Sequence, residues 1–499
     1  MKLKNIFLFF AIVAYSCLFY QQTAGINFLI FSSLLLAFSG VINPDLLRNR
    51  NWQISALGSL LTALMIVWHH SQLAIVAHVT TMILVIGFTY SPASSVYVSA
   101  LHGFLSMIIP YFTNSIQYFA DLTDPKKPKV RGVFSFKMAS IYIIPLTITL
   151  VFYTLYASAN PVFADLIKLP DINISLNLIS FTFVGWIMLT GFFFPFGSPE
   201  TIKWDNSKTD KLTRIRLKMK RHFDLIALKF ENKKGVILLI MLNALLLFYL
   251  VFDFSFILSG KTLPYGMDYS QYVHEGVNTL IFSILLAIGI ILYYFRANQN
   301  FYQKNQLLVR LTYCWIFLNG LLLVGIIHKN QIYIDQFGLT YKRIGVYIYL
   351  LMTLAGLITT FWKVKELKTV WFLLRRNVWI AYIVLIISSL LNWDRAIAKY
   401  NINVAHNTDV IYLMNLSDTV IPELQSLLHN PKVDLSGQVH DYTIYGSIDG
   451  YERSTPIISQ REFINRQITK FKENYKKKDW QSWNYDDRRV FEEVKLGGI

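Results

Sequence analysis

The chain is poor in cysteine and in charge. Two cysteines, Cys17 and Cys314, occur in 499 residues, and both lie inside apolar runs. Neither a disulfide framework nor the paired CxxC pattern of a zinc or redox site can be built from them. Asp, Glu, Lys and Arg together supply 15% of the residues, whereas a soluble domain carries about 25%. A disordered chain and an ordinary water-soluble enzyme are excluded. Catalytic signatures are missing too, with no HExxH, no GxSxG and no GxGxxG after a strand. Gly260-Lys261-Thr262 resembles the end of a phosphate-binding loop, but Ser255 stands where that pattern needs its first glycine. What the chain has in excess is apolar side chain, 54% of all residues.

That excess is concentrated in runs. A helix rises 1.5 Å per residue, so about 20 mostly apolar residues cross a bilayer core. Runs of this kind occupy 6–20, 26–42, 52–69, 72–90, 96–119, 138–158, 176–196, 235–258, 276–295, 307–327, 344–362 and 371–391. None shows the alternating polarity of barrel strands, so helices are expected. The reading is an all-α, polytopic helical membrane protein with about 12 transmembrane helices over 1–392. A small, mostly helical soluble tail follows over 393–499. Lys2 and Lys4 before the first run mimic a signal peptide, but Ala14 stands where a lipobox before Cys17 would want Leu, so a retained first span is expected.

The net charge of +17 is uneven: residues 1–392 hold 33 Lys and Arg against 15 Asp and Glu, and the tail 14 against 15. Segments 120–137, 197–234, 296–306 and 363–376 carry 5, 11, 2 and 5 bases, and the segments alternating with them 1, 1 and 3. The positive-inside bias then puts those four loops in the cytoplasm and the tail outside a cytoplasmic membrane. Lys2, Lys4, Arg48 and Arg50 also favour the cytoplasm, yet three runs separate Arg50 from the bases at 126–131, so the side of the N-terminus stays open. One of the runs between 52 and 119 then fails to cross, or the N-terminus is outside. The loop 197–234 contains KLTRIRLKMKRHFDLIALKF, read as a basic amphipathic helix. Its expected partners are the lipid bilayer and its anionic headgroups, or a protein docking on this loop or on the tail. Nucleic acid is not expected, because the tail offers no basic face.

Polar residues in costly places are the functional candidates. Asp253 lies in the eighth run, in FDFSF, and suits a proton or cation path. Arg310, Arg375 and Arg376 are expected to reach for headgroups, and His78 and His102 to be hydrogen-bonded packing residues. Asp268, His274 and Glu275 stand before the ninth run, and Lys342 and Arg343 before the eleventh. Acids at that end of a helix agree with its dipole, but bases oppose it, so Lys342 and Arg343 need compensation. Asp335, Glu275, tail acids or a bound anion would supply it. No cofactor and no metal set is read from the residues.

Several stretches carry a resemblance. LFYQQTAGINFLIF at 18–31, YASANPVFADLI at 156–167, LPYGMDYSQYVHEGVNTLI, DQFGLTYKRIGVYI, LNWDRAIAKYNI at 391–402, DVIYLMNLSDTVIPEL and WQSWN follow one order. Together they resemble a family of bacterial multi-pass membrane proteins defined by a domain of unknown function. Asn160, Pro161, Gly338, Arg343 and Asn401 fall in its motifs, and the resemblance assigns them no role. The functional expectation is a non-enzymatic membrane protein acting through partners in the cell envelope, in sensing, regulation or assembly. A secondary transporter of a small solute is the alternative, resting on Asp253, and an enzyme on lipid-linked substrates the third reading, resting on Asp268, His274 and Glu275.

Overall fold

The computed structural model describes residues 2–113, 176–214, 221–258, 269–405, 408–431, 433–441 and 456–496, together with positions 149 and 156. Among the described residues, helices form over the apolar runs, with one interruption in the run at 96–119. They are α1 (Lys2–Phe19), α2 (Ile26–Ile42), α3 (Arg50–His69), α4 (Gln72–Tyr90), α5 (Val96–Ser106), α6 (Leu176–Phe193) and the short polar α7 (Pro199–Ser207). Then come α8 (Arg221–Leu258), α9 (Tyr269–Tyr294), α10 (Gln306–Phe337), α11 (Tyr341–Lys365) and α12 (Val370–Ser389). Among the described residues, stretches of six helices (α3, α4, α8, α10, α11 and α12) are long and apolar enough to cross a membrane. The all-helical expectation for the apolar part is met. The run at 138–158 and the motif at 156–167 lie, apart from positions 149 and 156, outside the described residues.

Two compact units are present: residues 1–20 with 105–196, and residues 21–104 with 197–499. In the first, α1 packs along α6. Tyr15 stacks on Phe181 with ring centroids 4.7 Å apart, and the hydroxyls of Ser16 and Thr182 are 2.9 Å apart. Gly185 lies directly beneath the Tyr15 ring, where a Cβ would collide with it.

In the second unit α3 and α4 form a helical hairpin. The chain reverses because His70 takes a left-handed conformation (φ 48°) and Ser71 caps α4 by accepting the Ala74 N–H. His78 is buried between helices, within 3.1 Å of Ser32 Oγ and 3.2 Å of the Ser59 carbonyl, the packing role expected of it. The run at 96–119 is not one helix: α5 ends at Ser106, a turn covers 107–108, and helix resumes at 109–113. Arg48 and Arg50 lie at the end of the unit that also holds the 197–214 segment, because Asn49 and Asn51 donate to the Pro92 carbonyl and the Ser95 N–H donates to Asp205.

At that end, two expectations are corrected. Arg375 does not reach for headgroups; it pairs with Asp205 at 3.1 Å and Asp210 at 2.8 Å. Burial of Asp205 works against its charge, but the Ser95 N–H, the Tyr97 hydroxyl and Arg375 outweigh it and hold the carboxyl below its usual range. The predicted amphipathic helix does not begin at Lys211. The chain there is extended, with Leu212 N–H donating to the Leu367 carbonyl, and helix starts at Arg221 as a continuous part of α8. Lys363, counted above as a loop base, is buried and donates to the Phe295 carbonyl at 2.5 Å just beyond the end of α9.

Helices α8, α9, α10 and α11 form a bundle around Leu250, Ile284, Leu322, Ile326 and Leu357. The tail adds α13 (Trp393–Asn403), α14 (Val410–Met414), α15 (Ile421–Leu428), α16 (Gln460–Lys476) and α17 (Tyr485–Leu496). It is mostly helical, as expected. A short antiparallel pair, β1 (Gln438–His440) and β2 (Ile457–Ser459), is also present, with Val439 opposite Ile458. The tail core gathers Ile397, Leu413, Leu424, Ile464, Val490 and Val494, and it includes Ile344 from α11. The first turn of α11 therefore packs into the tail core.

Candidate functional site

The candidate site is the end of the α8–α11 bundle nearest the tail. Asp253 on α8 sits beside α10, where Gly325 leaves space: a Cβ there would lie 3.1 Å from Asp253 Oδ2. Lys329, one turn further along α10, donates to Asp253 Oδ1 at 2.5 Å, and the Tyr249 hydroxyl lies 3.4 Å from the same oxygen. Both charged side chains are buried, 7% and 8% exposed. Oδ2 has no hydrogen-bond partner among the described residues. The sequence reading missed Lys329 because the apolar run stops at Ile327 and HKNQ reads as loop. In the structure α10 continues to Phe337 and carries Lys329 inward. The usable signal was Asp253 itself, since a carboxylate buried in a low-dielectric interior requires a cation.

The next residue, Asn330, is buried and donates to the Arg343 carbonyl at 3.2 Å. It also lines a groove of about 670 Å³ between α9, α10 and α11. Asn278, Phe282, Leu285, Lys342 and Arg343 face the same space. Two candidates from the sequence thus share one cavity. Among the described residues Arg343 is compensated by carbonyls rather than by an acid. Its guanidinium donates to the carbonyls of Phe337 (2.8 Å) and Gly338, and it covers the Tyr333 ring at 4.1 Å. Arg343 is thereby a cation at the C-terminal end of α10, where the helix dipole favours it. Asp335 instead accepts from Gln331 at 2.7 Å and Tyr400 at 3.2 Å. Lys342 is exposed and makes no hydrogen bond or ion pair with any described residue. Asp268 lies outside the described residues, and of His274 and Glu275 only their place on the first turns of α9 is described.

The turn between α10 and α11 is gripped by the tail. Asn401 accepts the Leu339 N–H at 2.5 Å and returns a bond to the Leu339 carbonyl at 2.9 Å. Gly338 makes this possible: its φ is 78°, and a Cβ would lie 2.7 Å from Asn401 Oδ1. Tyr341 donates its hydroxyl to Asp394 at 2.6 Å, and its N–H bonds to the Tyr412 hydroxyl at 3.1 Å. Gly338 and Asn401, singled out only by motif, meet Arg343 here.

A second grip joins the tail to the α1–α2 loop and the α3–α4 hairpin. The WQSWN turn accepts the Ile26 N–H at the Trp483 carbonyl (2.9 Å), and Gln22 donates to Asp479 at 2.9 Å. Asp486 lies 3.4 Å from His69 and accepts from Asn392 at 2.5 Å. Asp487 pairs with Lys478 and accepts from Asn484 at 2.6 Å. Burial opposes the charge on Asp487, but His70 and Lys478 more than offset it and bring the carboxyl down to about 2. Among the described residues no group of three or more His, Cys, Asp or Glu could hold a metal ion.

No curated protein and no solved structure matches the chain. A family model, described as a domain of unknown function (DUF4153), matches residues 7–427. The match takes in Asp253, Lys329, the groove and the grip of Asn401 on the 338–340 turn, and it stops short of the WQSWN turn. The chain belongs to the DUF4153 domain-of-unknown-function family.

Proposed function

We propose that this protein is a non-enzymatic membrane protein of the cell envelope that acts through its tail, with the α8–α11 bundle as its sensing part. The observation that carries this reading is the α10–α11 turn. The residues that bring Lys342 and Arg343 to the groove are the ones fastened to Asn401, Asp394 and Tyr412. The packing of Ile344 in the tail core supports a tail that moves with the end of the bundle. In this reading the four basic loops face the cytoplasm, the tail lies outside, and a protein partner takes the signal from it.

Amide hydrogen exchange tests the coupling. The variant Asp253→Asn/Lys329→Met, which removes both buried charges, is expected to change exchange at residues 393–403 and 410–414. Adding Asn401→Ala is expected to abolish that response. Tail exchange indifferent to the bundle variant would overturn the reading.

The buried Asp253–Lys329 pair favours a second reading, cation- or proton-coupled transport of a small solute. A proteoliposome that shows solute-dependent proton flux, lost in Asp253→Asn, would establish it in place of the first.

A further inference from the structure

We propose that the groove between α9, α10 and α11 binds an anionic phospholipid, with the phosphate at Lys342 and Arg343 and an acyl chain along Phe282 and Leu285. This names the ligand of the sensing part; only the step from occupancy to the tail rests on the function proposed above.

Charge complementarity is the first argument. Lys342 and Arg343 put two positive charges at one end of the cavity. Among the described acids Asp253 is paired with Lys329, and Asp335 and Asp394 accept from Gln331, Tyr400 and Tyr341; no described acid forms an ion pair with Lys342 or Arg343. Arg343 uses one terminal nitrogen on the carbonyls of Phe337 and Gly338, leaving its other terminal nitrogen and Nε to donate to a phosphate. Lys342 supplies a mobile ammonium beside it.

The walls supply the second argument. Phe282 and Leu285, 68% and 48% exposed, lie on the apolar stretch of α9 and face the surroundings of the bundle. A free inorganic anion gains nothing from such walls, whereas an acyl chain buries them at about 25 cal/mol per Å². Asn278 and Asn330 line the same groove and offer amides to a glycerol ester. The volume of about 670 Å³ takes a headgroup and part of one chain, within the range of about 300–1,000 Å³ usual for small-molecule sites. Gly345 also faces the cavity, and a Cβ there would meet nothing within 4 Å. The groove can therefore be filled by substitution without disturbing a contact.

The test uses the full-length chain in nanodiscs of phosphatidylcholine doped with phosphatidylglycerol, with retained lipid identified by native mass spectrometry. Preferential retention of phosphatidylglycerol is expected. Lys342→Glu, which leaves the Arg343 contacts intact, and Gly345→Leu, which fills the cavity, are each expected to lower retention about tenfold or more. Equal retention of both lipids, or no loss in either variant, would overturn the proposal. So would full displacement by millimolar inorganic phosphate, which would make this a site for free anions. Tail exchange read on the same samples separates the two ideas. Lipid bound without a tail response removes the proposed function and keeps the site; a tail response to the bundle variant without lipid preference does the reverse.

Discussion

Replacing Lys329 with Met tests the buried pair most sharply. In the native chain the ammonium is 2.5 Å from Asp253 Oδ1, and both side chains are more than nine-tenths buried. The substitution removes the counter-charge and leaves Tyr249, at 3.4 Å, as the nearest hydrogen-bond donor to the carboxylate. Among the described residues Oδ2 has no hydrogen-bond partner even before the substitution, so no described donor takes over. Breaking a buried pair in this way costs roughly 3–5 kcal/mol. Removing both charges, in Asp253→Leu/Lys329→Met, restores most of that because no orphan charge remains. Melting in detergent, followed by tryptophan fluorescence, should rank the wild type and the double variant together. The single variant should lie lower by roughly 5 °C, a few kcal/mol spread over a chain of this size. If the single and double variants melt together, or the single variant melts with the wild type, the pair is not buried as described and the argument fails.

Three further outcomes are expected. Asp487, held down to about 2 from the ordinary 3.8, contributes stability that is fully present above about pH 4 and lost as the pH falls through about 2. The contribution is roughly 2 kcal/mol, and proteolysis of the tail against pH should show it; Asp487→Asn with an unaltered acid profile would contradict it. Asp418, whose carboxyl burial raises, has the opposite sign, so its removal should make the tail slightly more resistant near neutral pH. Gly338→Ala places a Cβ at a φ of 78° and against Asn401. It should cost about 1–3 kcal/mol and expose the 338–340 turn to protease, and a variant as resistant as the wild type would remove the conformational argument for that glycine.

Much of the architecture can be read in the sequence because burial in an apolar setting leaves long runs. The boundaries of α2 and α4 coincide with runs 26–42 and 72–90. The readings fail where polar residues are helical. HKNQ at 328–331 ends an apolar run yet continues α10, because Lys329 finds Asp253 and Asn330 finds the Arg343 carbonyl. The run at 96–119 fails in the other direction, since α5 stops at Ser106 while the apolar pattern continues. At the site, Asp253, Lys342 and Arg343 stand out in the sequence because each violates a membrane rule. Lys329 does not, because its partner is two apolar runs away. Asn401, a neutral residue on a polar helix, carries no physical signal in one sequence; its role appears only when the backbone of Gly338 and Leu339 comes against it.

The central claim is that the bundle and the tail respond as one. Hydrogen exchange of residues 393–403 and 410–414, compared in nanodiscs with and without phosphatidylglycerol, tests it most directly. Slower exchange in the anionic bilayer, abolished by Lys342→Glu, is the predicted result. Identical exchange in both bilayers, with phosphatidylglycerol retained on the protein, would contradict it.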